Sequence, residues 1–130
     1  MIRIKLASVM VDDQDKAEKF YTEVLGFHKK QDIPMGEARW LTVVSPAESD
    51  GTELLLEPMG GVAEAPGFQK ALFNAGIPIT AFAVDNIEAE YQRMKALGVE
   101  FRGEPSTPEF GPSIVVLNDT CGNLIQLFQV

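Results

Sequence analysis

The chain has 130 residues, enough for one domain with a single buried core, and its 45% hydrophobic and 23% charged content is that of a folded globular protein. Nineteen acidic against eleven basic residues leave a formal charge of −8, which argues against nucleic acid as a partner and favours a neutral or cationic one. The longest apolar run is too short to span a bilayer, residues 1–3 lead into a strand-like segment instead of a signal sequence, and the single Cys121 suits a reducing cytoplasm.

Residues 2–11 (IRIKLASVMV) read as a strand. Asp12 or Asp13 then offers an oxygen to the free amides of a helix start. Ala17, Phe20, Tyr21, Val24 and Leu25 recur at helical spacing on one face, and Gly26 stands where a left-handed residue would end the helix. Residues 27–31 form a short strand, Pro34-Met35-Gly36 a turn, residues 39–44 (RWLTVV) a strand, and residues 53–57 (ELLLE) a strand stopped by Pro58. The first module, residues 1–58, thus runs β-α-β-β-β.

Residues 59–77 are rich in glycine and alanine and read as a linker with one short helix over residues 68–74. The second module, residues 78–130, restarts with a strand at 79–84 (ITAFAV) ending in Val-Asp, as the first did. Ile87, Tyr91, Met94 and Leu97 form a helical stripe, capped by Asp85 or Asn86 and closed by Gly98. Strands follow at 99–102, at 113–117 after a loop with three prolines, and at 124–130 after the tight turn Asp119–Asn123. The order is again β-α-β-β-β. Val11-Asp12 matches Val84-Asp85, Ala17-Glu18 matches Ala89-Glu90, Leu25-Gly26 matches Leu97-Gly98, and Gly51 matches Gly122. Landmarks in the same order point to an internal duplication.

Val11-Asp12-Asp13 followed by Ala17, Phe20-Tyr21 and Leu25-Gly26-Phe27, with Val84-Asp85, Leu97-Gly98-Val99 and a closing Asp119-x-x-Gly122-Asn123, resembles the vicinal-oxygen-chelate superfamily. That group holds glyoxalase I, extradiol dioxygenases, fosfomycin-resistance enzymes and bleomycin-resistance proteins. The resemblance implies an α+β fold of tandem β-α-β-β-β modules whose mixed sheets curl around a shared cavity, commonly in a homodimer.

Metal-dependent members typically take a histidine or similar ligand from the first strand of each module and a glutamate from the last. Carried over, the first-strand positions are Leu6 and Ile79, and the last-strand positions are Gln126 and either Leu55 or, with a two-residue shift, Glu57. Leucine and isoleucine have no lone pair for a cation, and a divalent ion needs at least three converging donors. The only histidine, His28, sits in a solvated His-Lys-Lys run, Cys121 has no histidine near it in sequence, and Ser8 lacks a base partner. No cofactor is expected.

Alternation along the strands then sets Ser8 and Met10 on the face of Leu6, and Ala81 and Ala83 on that of Ile79, while Val9, Val11, Phe82 and Val84 pack on the helices. Gln126 shares its face with Leu124 and Phe128, and Leu55 shares its face with Glu53 and Glu57; Trp40 and Thr42 are candidates from the third strand. The ligand-binding set expected is Leu6, Ser8, Met10, Trp40, Leu55, Glu57, Ile79, Ala81, Gln126 and Phe128: an apolar lining with one carboxylate and one amide. It fits a protein that binds a small, largely apolar molecule, neutral or cationic. The alternatives are a metal-dependent lyase of glyoxalase type or an extradiol dioxygenase with displaced ligands, rescued by Ni, Zn, Mn or Fe, and a plain interaction domain.

Overall fold

The computed structural model describes residues 1–130 and divides into two units, residues 1–67 and 68–130, with the division inside the expected linker. The fold is α+β, with one mixed sheet in each unit.

In the first unit the strands are β1 (Leu6–Val11), β2 (His28–Met35), β3 (Ala38–Val44) and β4 (Glu53–Pro58), ordered β1-β4-β3-β2. β1 runs parallel to β4, and the other pairs are antiparallel. The connection from β1 is α1 (Gln14–Lys19), continued by a wider π turn over Phe20–Val24. Of the two candidate caps it is Asp13 whose Oδ1 accepts from Lys16 N, at 3.0 Å, while Asp12 pairs with the Lys16 ammonium at 3.2 Å. In the widened turn the Thr22 hydroxyl donates to Glu18 O at 2.6 Å and competes with the backbone for that carbonyl. The helix still buries Ala17, Phe20 and Tyr21 and ends at Gly26, whose φ is +88°.

In the first unit two strand boundaries differ from expectation by more than one residue, for identifiable reasons. β1 begins at Leu6, not residue 2, because β4 starts at Glu53, the partner of Leu6, leaving the upstream residues no ladder; Ile2 and Ile4 are exposed. β2 runs through Pro34 to Met35, and the turn moves to Gly36 and Glu37. Pro34 is tolerated because β2 is an edge strand, where a missing N–H costs no pairing.

A helix, α2 (Ala65–Asn74), crosses the boundary between units and starts three residues earlier than expected. The second unit has β5 (Thr80–Val84), α3 (Ile87–Ala96), β6 (Ile114–Asn118) and β7 (Leu124–Gln129), ordered β5-β7-β6 with β5 parallel to β7. Asn86, not Asp85, caps α3 by accepting from Ala89 N at 3.0 Å. Ile87, Tyr91 and Met94 are buried, whereas Leu97 is exposed beyond the helix end. The strand expected at 99–102 is absent: only the bridges Phe101–Leu117 and Ser106–Ile114 flank β6. Gly103, at φ +126°, and Pro105 interrupt what would otherwise be a fourth strand.

One polar cluster is deeply buried. Asp119 and Asn123 are sealed from solvent, and Gln69 of α2 is nearly so. Asp119 Oδ1 accepts from Cys121 N at 2.7 Å and Asn123 N at 3.0 Å, and its Oδ2 accepts from Asn123 Nδ2 at 2.9 Å. Gln69 Nε2 in turn donates to Asn123 Oδ1 and Cys121 O, each at 3.1 Å. The Asp119–Asn123 turn is therefore a buried knot that ties β6, β7 and α2 together.

Candidate functional site

Each sheet has a face covered by a helix and a face that is not. In the first unit Arg39 marks the covered one: its guanidinium donates to Glu18 Oε1 at 2.8 Å and Asp32 Oδ2 at 3.1 Å, and Gln14 bonds its backbone. The Arg39 hydrogen bond is the main reason that the Glu18 carboxyl is held below its ordinary value of 4.5. A depressed carboxyl contributes stability that is present above its ordinary pKa and lost as pH falls through its lower folded value. We expect stability to decline on acidification below that ordinary range, and Glu18→Gln to flatten the decline in denaturation curves taken at stepped pH. An unchanged slope would remove Glu18 as its source.

The opposite face carries the expected residues of the first module. β1 and β4 pair Leu6 with Glu53, Ser8 with Leu55 and Met10 with Glu57. Leu6 is 46% exposed, Ser8 is exposed, Met10 and Glu57 are half-buried, and Leu55 is buried. Thr42 settles the facing of β3, since its hydroxyl donates to Glu53 Oε1 at 2.7 Å. Trp40, two residues earlier, is half-buried on the same face, and its β2 partner Ile33 is exposed. All six expected residues of this unit, Leu6, Ser8, Met10, Trp40, Leu55 and Glu57, therefore share one surface. Leu6 is a surface side chain, not part of the core.

In the second unit the four expected residues also share a face. Ala81 pairs with Gln126 and Ala83 with Phe128, while Ile79 N donates to Leu124 O just before β5 begins. Ala81 is exposed; Ile79, Gln126 and Phe128 are half-buried. Across β7 these meet Val116 and Ile114, and those two line a cleft of about 420 Å3 with Arg102, Glu104 and Ser106. A second cleft of about 350 Å3 lies apart, between α2 and the β6–β7 turn, lined by Lys70, Phe73 and Thr120 among others.

Sequence reasoning missed one group on the first face. Gln31 Nε2 donates to Glu53 Oε1 at 2.6 Å, beside the Thr42 bond, and Gln31 N donates to Thr42 Oγ1 at 3.1 Å. The Gln31 bond first, and then the Thr42 bond, hold the Glu53 carboxyl below its ordinary range. Alternation had already put Glu53 on the face of Leu55; what could not be read was the pairing of β2 with β3 and of β3 with β4 that brings Gln31 across to it. Elsewhere His28 is exposed, Cys121 is buried, and no three His, Cys, Asp or Glu side chains are grouped to hold a metal ion.

A family model, that of the glyoxalase/bleomycin resistance protein/dioxygenase superfamily, matches residues 3–127, and the chain belongs to that superfamily. It is 52% identical to the uncharacterized protein YurT of Bacillus subtilis (strain 168) over 98% of this chain and 99% of that one. Among solved structures, UcmS2 superposes with a TM-score of 0.84 at 33% identity, covering 98% of each chain. TnmS3, an antibiotic binding protein from Streptomyces sp. CB03234, superposes with a TM-score of 0.77 at 28% identity, covering 99% of this chain and 96% of that one. No helix is long and apolar enough to cross a membrane.

Proposed function

We propose that this protein binds a small, largely apolar molecule, neutral or cationic, on its open sheet faces and needs no metal ion to do so. The observation that carries this is the chemistry of those faces. By the family resemblance Leu6 and Ile79 stand at the first-strand positions where metal-dependent members place a ligand, Gln126 and Leu55 (or Glu57, with a two-residue shift) stand at the last-strand ones, and the faces around them carry Trp40, Phe128 and aliphatic side chains beside a few polar groups. One neutral amide and at most one carboxylate among four positions do not fit a divalent ion. A metal-dependent lyase or dioxygenase would need three converging donors, and no such group of His, Cys, Asp or Glu is present. The likeness to an antibiotic binding protein over nearly the whole chain supports the same reading and suggests antibiotics as the class to try.

Trp40 is the sole tryptophan, so the proposed contact has a built-in reporter. A titration with a panel of small, largely apolar antibiotics, neutral and cationic, should quench or shift its emission for at least one compound. The same compound should raise the melting temperature with concentration as mass action requires, with or without chelator. If binding vanishes in chelator and returns with a divalent ion, the metal-free reading is wrong. A panel that moves neither signal would remove the binding function itself.

A further inference from the structure

We infer that Glu53 is the polar recognition point of the first sheet face and takes a cationic nitrogen of the bound molecule on its Oε2 atom. This rests on the binding function proposed above. Glu53 Oε1 already accepts two hydrogen bonds, from Gln31 Nε2 at 2.6 Å and Thr42 Oγ1 at 2.7 Å. Thr42 is fully buried, so the hydroxyl end of the clamp is fixed by the core and the carboxylate plane is set in advance. No ion pair within 4.0 Å and no hydrogen bond occupies Oε2. Lys5 and Lys30 lie close enough to act through space, yet they direct their ammonium groups at Asp50 O and Ser49 O. Both donors in the clamp are neutral, so the carboxylate keeps its full charge while losing one of its two oxygens to the protein.

Across the strand pair, the neighbour of Glu53 is apolar. Leu6, the direct cross-strand partner of Glu53, is 46% exposed, whereas Trp40 lies on the same face farther along β3, toward Glu57. An anion with a vacant acceptor beside an exposed aliphatic side chain suits an apolar cation, since the charge meets the carboxylate and the hydrocarbon meets Leu6. A cross-strand strut serving only to hold β2, β3 and β4 together would not require the charge, because a neutral amide oxygen accepts the same two bonds.

The test is calorimetric titration at pH 8 with proflavine, a planar tricyclic cation, and acridine, its neutral counterpart. The wild-type protein should favour proflavine by about tenfold, the scale of one charge-assisted hydrogen bond. Glu53→Gln should keep the melting temperature and bring the two affinities together. Glu109→Gln, which removes the same charge from an exposed loop, should leave the preference intact. If Glu53→Gln folds poorly, Leu6→Lys serves instead: an ammonium placed beside Glu53 should occupy Oε2 and abolish the preference. Binding of both dyes without preference, or a preference that survives in the folded variants, overturns the assignment to Glu53 and leaves the binding function standing. Binding of neither dye by the wild type overturns the assignment to Glu53, and the antibiotic panel then decides the binding function.

Discussion

Replacing Gly122 with alanine should lower the stability of the fold by about 3 kcal/mol, the sum of a left-handed backbone penalty and the cost of overpacking. Gly122 has φ +98°, where an L side chain is strained whatever the surrounding space. Here the space is also taken. A Cβ would come within 2.6 Å of Gln69 Cδ and closer still to its Oε1. Gln69 is a flexible side chain, but it cannot simply swing away. It is 6% exposed, and its amide nitrogen holds Asn123 Oδ1 and Cys121 O. Moving it would strand buried polar atoms, so the two penalties add. For a chain of this size the melting temperature should fall by roughly 10 °C. Gly51 provides the contrast: its Cβ would approach Glu48 O at 2.9 Å, but its φ lies outside the left-handed region, so Gly51→Ala should cost clearly less. Equal melting temperatures for the two variants would refute this account of Gly122.

Asp119→Ala should cost more, about 3–5 kcal/mol, because three buried donors lose their acceptor and each unsatisfied group carries about 1–3 kcal/mol. The donors are Cys121 N, Asn123 N and Asn123 Nδ2. Asp119 is sealed from solvent, so water cannot replace it without opening the turn. Asp119→Asn separates the parts of this effect. Its carbonyl can still accept from the two backbone amides, but its NH2 would then face Asn123 Nδ2, donor against donor. It should fall between wild type and Asp119→Ala in urea denaturation. Asp119→Ala within 1 kcal/mol of wild type would mean that the knot contributes little. Neither variant touches the open sheet faces, so both should reduce stability while leaving the intrinsic affinity of the folded fraction unchanged.

How much of this was legible in the sequence follows from what is local and what is not. Helix α1 and its glycine exit are local: the spacing of Ala17, Phe20 and Tyr21 and the position of Gly26 depend only on nearby residues. Strand facing was legible for the same reason, since alternation from Leu6 to Met10 is intrinsic to an extended chain. Strand length was not. β1 loses its first four expected residues because its partner begins at Glu53, and β2 gains four because β3 pairs with it as far as Met35. Those are pairing decisions made by a second segment. The same limit hid the Glu53 clamp, whose donors Gln31 and Thr42 come from two other strands. Glycine equivalence was legible as punctuation only: Gly51 and Gly122 both precede a final strand, yet only Gly122 is required by its backbone and by Gln69.

The edge strand β2 tolerates Pro34. The same position also withholds something. An exposed edge can template the addition of a foreign strand by offering it a continuous row of amides and carbonyls. In β2 that row is broken at Pro34, bent at the irregularity between Lys29 and Gln31, and flanked by the ammonium groups of Lys29 and Lys30. An extended peptide therefore finds no ladder to join there. The edge is guarded against aggregation by the very features that make its strand look poor in sequence.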